Sequence, residues 1–263
     1  MSAGLLAAAC VCSLAAAEVI SIKEPEDLLT PKRVVKGDGA ISVKGSSCVL
    51  LSSKTLTPDP AKKYKVTGEF RLKDGAEGAN VYLGFAPFDA EGNAIQASYV
   101  NAKAGSDTVV TKAAPTGSSV IYVQDASKWD LKTPFGFIAF NTKADYSDLP
   151  NGDLARTVPD GIKQNGDLWE ITLKQPLTKD IAEGTAVRQQ MAGASYIYSA
   201  YKGQLPNEWT TITGTTAGSN SLYGNAGKQF WHGTASARLM ISVMNGKANT
   251  VVEMKNIVVE EVE

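Results

Sequence analysis

The chain has 263 residues, 43% of them hydrophobic and 20% charged, with a formal net charge of −1 at pH 7. That length and composition suit a globular body with a sizeable core, and the near-neutral balance without a dense basic stripe excludes an electrostatically driven nucleic-acid binder. After the N-terminus there is no run of about eighteen apolar residues, so no membrane-spanning helix is expected in the body of the chain.

The N-terminal stretch MSAGLLAAACVCSLAAAE is small and apolar, and Ala15-Ala16-Ala17 fits a small-residue cleavage site, although no Lys or Arg precedes the apolar run. Residues 1–17 are therefore expected to be a secretory leader, with a mature chain beginning near Glu18 that is secreted or held at the cell surface. Retention of the segment as a hydrophobic arm is the alternative. Cys10 and Cys12 lie inside the leader, so a cleaved chain keeps only Cys48 and forms no internal disulfide. In SSCVLLSS, Cys48 reads as a small buried hydrophobe on a strand.

Residues 18–39 are read as an N-terminal strand and an extended arm. EVISIKEP carries the strand pattern Val19, Ile20, Ile22, and Pro31 and two glycines in DLLTPKRVVKGDG discourage a helix. Strand signals dominate from Ala40. In YKVTGEFRLK, Tyr64, Val66, Phe70 and Leu72 share one face, while Lys65, Thr67, Glu69, Arg71 and Lys73 share the other. In NVYLGFAPF, Val81, Leu83 and Phe85 alternate with Tyr82, Gly84 and Ala86, which leaves one face nearly bare. Further strands are expected at SCVLLS, VIYVQD, FGFIAF, WEITL, SYIYSAY, WTTITGT, RLMISVM and VVEMKNIVV, punctuated by Gly, Asn, Asp and Pro. QDASKW and KDIAEGTAV offer single turns. No internal repeat and no long amphipathic helix are found. The pattern predicts an all-β antiparallel sandwich over residues 40–263, with 101–204 as an inserted elaboration or small subdomain.

Four segments, KKYKVTGEFRLKDG, VYLGFAPFDAEGNAI, LPNEWTTITGT and TASARLMISVMNGKANTVVEMKNIVVEE, resemble in order the strands of jelly-roll domains of the carbohydrate-binding-module, galactose-binding-like type. SSVIYVQDASKWD and WEITLKQPLTKDIAEGTAVRQQMAGASYIYSA resemble inserts in such domains of phage tail-fibre and bacterial surface proteins. The resemblance implies a double-layered β fold, often with a structural calcium and sometimes with a sugar-binding aromatic face; no individual residue role carries over from it. It further implies that the NVYLGFAPF strand lies centrally, with the Gly84 and Ala86 face covered by the insert or open as a groove.

Catalytic motifs are sparse. His232 in FWHGTAS is the sole imidazole, and no nucleophile elbow, phosphate loop or zinc motif occurs. Glu69, Glu170, Asp145 and Asp153 are the carboxylates a glycosidase would need in pairs, but nothing in the spacing brings two together. No cofactor is required by any pattern. Calcium is the one metal the sequence suggests, because ADYSDLPNGDLA places Asp145, Asp148, Asn151 and Asp153 along one loop; the same residues are also turn formers. FDAEGN, with Asp89, Glu91 and Asn93, reads as a hairpin turn. For a sugar-stacking platform the candidates are Trp231, Tyr223 and Tyr201, with Tyr196 and Tyr198 nearby; Trp209 is assigned to the core.

The leading expectation is a non-catalytic extracellular structural or adhesive subunit. The arm residues Val19, Ile20 and Ile22 would add a strand to another copy, making a homo-oligomer or filament, or pair with the chain's own sheet. The alternative is a free-standing carbohydrate-binding module with a polysaccharide partner, and a jelly-roll glycoside hydrolase or lyase is the third reading.

Overall fold

A computed structural model describes residues 17–73, 78–130, 136–218 and 228–262, with the side chains of 158–160 outside that description. The expected leader, with Cys10 and Cys12, and the ligand candidate Tyr223 lie outside the described residues. Strands dominate. The sandwich opens with β1 (Ala17–Ile22), β2 (Val34–Gly37), β3 (Ala40–Lys44), β4 (Cys48–Leu51), β5 (Lys63–Leu72) and β6 (Asn80–Phe88). A single-turn helix α1 (Ala97–Val100) leads into β7 (Thr108–Val109), β8 (Val120–Val123), β9 (Gly136–Phe140), β10 (Leu154–Asn165), β11 (Leu168–Leu173) and β12 (Ala186–Met191). The chain then returns through β13 (Ile197–Lys202), β14 (Thr210–Ala217), β15 (Ser236–Met244) and β16 (Val251–Val262).

Three sheets result among the described residues, all with antiparallel pairing. One has the order β14-β5-β16-β3-β2 with β1 also on β16, a second the order β13-β6-β15-β4, and a third the order β7-β12-β9-β10-β11-β8. The first two face each other across a single core. Tyr64, Val66 and Phe70 of β5 and Val252, Met254, Ile257 and Val259 of β16 meet Val81, Leu83 and Phe85 of β6 and Leu239, Ile241 and Val243 of β15 there. The alternation seen in YKVTGEFRLK and NVYLGFAPF is the cause, since every second side chain points to one face. Phe230 ties the layers, with its ring 5.7 Å from Tyr64 on one sheet and 5.0 Å from Phe85 on the other. The third sheet has its own core of Val110, Ile121, Val123, Trp129, Ile138, Phe140, Ile171 and Val187.

Two local irregularities follow from the sequence. VVEMKNIVV holds apolar residues at two phases, Val252/Met254 and Ile257/Val259, and a bulge between Lys255 and Val258 with Asn256 at φ 50° brings both sets to the core. Gly84 answers for the bare face of β6: a Cβ there would stand 1.9 Å from the carbonyl oxygen of Ile197. The bulged backbone of β13, where the register shifts between Tyr198 and Ala200, occupies that space, rather than a packed insert sheet. β13, although inside 101–204, is therefore a strand of the sandwich.

The N-terminal arm is spent within the chain. β16 is flanked by β5 on one side; on the other, β3 pairs only with Val251–Met254, and β1 pairs with Ile257–Glu261. Ile20 and Ile22, each 1% exposed, fill the chain's own core, and Val19 packs against it. Of the two roles expected for Val19, Ile20 and Ile22, the structure shows pairing with the chain's own sheet in place of strand donation to another copy: the open half of the β16 edge is the nearest acceptor, and β1 takes it.

Candidate functional site: a tyrosine face on the four-stranded sheet

The outer face of the β13-β6-β15-β4 sheet is built in cross-strand rows. Tyr201, Tyr82, Ser242 and Val49 form one row, and Tyr198, Gly84, Met240 and Leu51 the next. A sheet face turned to water ordinarily alternates to polar residues; this one does not, and its central Met240 and Ser242 are buried, while Tyr82, Tyr196 and Tyr198 are half-buried and Tyr201 is exposed. Tyr82 lies 4.6 Å from Tyr201 and 5.0 Å from Tyr198, ring centre to ring centre, with interplanar angles of 35° and 47°. Tyr196 stands 6.5 Å from Tyr198 at a steep angle and continues the strip. It borders a hollow of about 210 Å³ walled by Leu29, Thr30, Val49 and Leu51. Tyr201 and Leu29 are 55% and 50% exposed, so the ribbon is open at both ends.

Gly84 makes this possible. Without a side chain it lets β13 press close, which draws Tyr198 and Tyr201 over Tyr82. The rings then hold one another. Aromatic pairs at such separations add about 0.5–1.5 kcal/mol beyond burial. The electrostatics are those of a neutral platform. Burial, then the neighbouring Tyr82 and Tyr196 hydroxyls, push the Tyr198 phenol above its ordinary value. It stays protonated at physiological pH and offers a donor as well as an acceptor.

No protein-family model matches the chain, and no curated protein matches it. Among solved structures, it is similar to a Bacteroides thetaiotaomicron protein provisionally assigned to sugar binding. The identity is 9%, the TM-score 0.24, and the match covers 94% of this chain and 95% of that one. So remote a likeness carries no argument about function, which is read from the geometry.

Of the residues singled out from sequence, Tyr201 alone lies on this face in the open. Trp231 is corrected: it is 4% exposed and sits in the sandwich core beside Phe230. The polar stretch before it misleads, because the chain dives between the sheets at Phe230. Trp209 moves the other way. It shares the phase of the exposed Thr211 and Thr213 and lies half-buried on the outer face of the larger sheet, with Arg71 at 4.6 Å and Lys255 at 4.3 Å from its ring. Tyr82 was missed as a partner because cross-strand pairing, not sequence spacing, brings it under Tyr201.

The calcium cluster is likewise corrected. Asp148 accepts from Arg188 Nη2 at 2.7 Å and from the Lys143 amide, Asp145 accepts from the Ser147 amide, and Asp153 pairs with Lys179 and the Asn141 amide group. Each carboxylate meets its own donor, and no group of three His, Cys, Asp or Glu is placed to hold a metal among the described residues. Of the other candidate carboxylates, Glu69 is bonded by Asn256 and Lys255, and Glu170 by the Tyr122 hydroxyl. Hydrogen bonding from Asn256, then the Lys255 charge, hold Glu69 below the ordinary carboxylate value. Burial pushes the Cys48 thiol up, away from the thiolate a nucleophile needs. His232 is half-buried in the turn after Trp231. Asp89 and Asn93 close the hairpin turn as expected. No helix among the described residues is long and apolar enough to cross a membrane.

Proposed function

We propose that the protein is a non-catalytic, exported carbohydrate-binding module whose saccharide lies along the Tyr82, Tyr198, Tyr201 and Tyr196 strip. The observation that carries this is the contiguous, uncharged tyrosine ribbon on a sheet face with no side of its own core to cover. A pyranose presents an apolar C–H face and a rim of hydroxyls. Tyrosine matches both, with a flat apolar ring and a donor–acceptor hydroxyl, at low conformational cost. An apolar surface patch of this kind marks a binding surface rather than ordinary exposure. The interleaved strand order, in which consecutive strands cross between the two sheets, supports the jelly-roll reading of the sandwich. The apolar stretch before Glu18 suits a protein that meets glycans outside the cell. The isolated carboxylates and buried thiol support binding without turnover.

Affinity electrophoresis of the purified protein against a panel of neutral polysaccharides tests this. Tyr201→Ala and Tyr82→Ala are expected to lose the retardation that the wild-type protein shows, with Tyr201→Ala still folded and its thermal midpoint lowered by only about 2–4 °C. Equal retardation of both variants and wild type by every glycan that binds would remove the site from this face.

A further inference from the structure

The hollow at the end of the tyrosine ribbon bears on which saccharide the ribbon takes. It measures about 210 Å³ and is lined by Leu29, Thr30, Val49, Leu51 and Tyr196. Tyr196 belongs to both features, since its ring also stands 6.5 Å from that of Tyr198. A sugar ring stacked on these two tyrosines therefore has the hollow beside it. The volume is below the roughly 300–1,000 Å³ of sites that enclose a whole small molecule. It suits a substituent of the sugar, with the ring itself left outside on the tyrosines.

The walls are held in place from both sides. Leu29 and Thr30 lie between two short 3₁₀ turns, Pro25–Asp27 and Pro31–Arg33, each opened by a proline whose ring fixes φ. The Asp27 carboxylate accepts from the amides of Lys23 and Glu24 at 2.8 and 2.9 Å. The Leu29 amide donates to the Leu51 carbonyl at 2.9 Å, and the Ser53 amide to the Asp27 carbonyl at 2.7 Å. The arm is thus clipped to the β4 edge and holds Leu29 in the open, 50% exposed. Val49 and Leu51, half-buried on β4, complete the aliphatic wall. A wall already in shape loses little entropy when a ligand enters.

The described lining carries no charged side chain. Three aliphatic side chains face an apolar group, and Thr30 and Tyr196 add a hydroxyl each. Thr30 occupies the N-cap of the second turn, yet its hydroxyl makes no capping bond. It is exposed and free to donate to a ligand or accept from one.

We propose that the hollow takes the acetamido group of an N-acetylated amino sugar, so that the ribbon selects N-acetylhexosamine polymers over unsubstituted glycans. The methyl packs on Leu29, Val49 and Leu51, and the amide carbonyl accepts from the Thr30 hydroxyl. The lone methyl of a 6-deoxy sugar would leave most of the volume to water, and a carboxylate would meet no cation in the described lining. The assignment rests on the carbohydrate-binding reading above and adds the sugar's substituent.

Isothermal titration of the full chain with chitotriose, cellotriose and a rhamnose trisaccharide decides it. Chitotriose and cellotriose share one backbone and differ in the group at C2. Chitotriose is expected to bind about tenfold more tightly than cellotriose, the increment of one buried methyl with one hydrogen bond. Leu29→Ser should bring chitotriose down to the cellotriose level and leave cellotriose binding as in wild type. Thr30→Val should weaken chitotriose binding several-fold. Both positions are exposed, so both variants should give the wild-type circular dichroism spectrum. Equal affinity for chitotriose and cellotriose, undiminished chitotriose affinity in Leu29→Ser, or a rhamnose trisaccharide bound as tightly as chitotriose overturns the assignment and leaves the ribbon standing. So does binding of none of the three by a protein that other polysaccharides retard in gels. Absence of retardation by every polysaccharide removes the ribbon reading along with the assignment.

Discussion

The sandwich and the inserted sheet are both antiparallel β structures, yet they bury different chemistry. In the sandwich the buried polar side chains are hydroxyls: Ser52, Ser199, Thr216, Ser242 and Thr250. They are satisfied locally, as in the 2.6 Å contact between Ser199 and Thr216. In the insert, Arg188, Gln189, Gln190, Asn101 and Asn151 go inside. Arg188 is wholly enclosed, bonded to Asp148 at 2.7 Å and stacked 4.6 Å from Tyr146. The difference teaches how each region is held. Two large sheets supply a large apolar core between them, whereas one six-stranded sheet with a smaller core also encloses an ion pair, and breaking it would leave a charge buried without its partner.

Several changes would break or sharpen that contrast. The largest effect is expected from Trp231→Ala, which empties a site between the sheets and should cost about 4 kcal/mol in chemical denaturation. A change in glycan retardation without loss of stability would instead put Trp231 at a binding surface. Next comes Arg188→Ala, expected to cost about 3 kcal/mol because Asp148 is left buried without its partner. The double variant Arg188→Met, Asp148→Leu should recover most of that loss, and a cost as large as the single variant's would show that the pair does more than cancel charge.

A smaller loss, about 2 kcal/mol, is expected for Gly84→Ala, since the new methyl meets the Ile197 carbonyl and β13 must shift. The same variant should weaken glycan binding, because Tyr198 and Tyr201 ride on that strand. Circular dichroism melts and affinity gels on one preparation would separate the two effects.

The smallest effect is a local pH dependence in two loops of the insert. The Ser147 amide beside Asp145 and the Thr116 amide beside Asp180 hold both carboxyls below the ordinary 3.8 of aspartate. A depressed folded value means stabilisation present above the ordinary value and lost as pH falls through the folded one. Hydrogen exchange should therefore show the Ser147 and Thr116 amides losing protection on acidification below about pH 4, ahead of β5 and β16 in the sandwich core. Simultaneous loss in both regions would contradict the contrast.

Much of the architecture is legible in the residues, and the failures are instructive. SCVLLS, VIYVQD, FGFIAF, WEITL and the C-terminal pair all form strands because alternation or a short apolar run needs no knowledge of the partner. β10 was hidden. Its sequence LARTVPDGIKQN contains Pro159 and Gly161, residue types that interrupt a strand pattern, and they fall where the strand bulges and exchanges β9 for β11. β12 was hidden for the opposite reason: AVRQQM alternates two faces that are both buried, so the arginine and glutamines mask the period. The KDIAEGTAV turn thus ends inside a strand.

The sequence by itself determined that this is a β protein, which face of the clearest alternating strands, such as β5 and β6, enters the sandwich core, and where most strands run. Those properties arise from the two-residue period, which is local. Only the tertiary structure decided that β1 completes β16, that Trp231 is inside and Trp209 outside, that three aspartates meet three different donors, and that Tyr82 lies under Tyr201. Each of these depends on which strand lies beside which and in what register, and a one-residue change of register exchanges the two faces of a sheet.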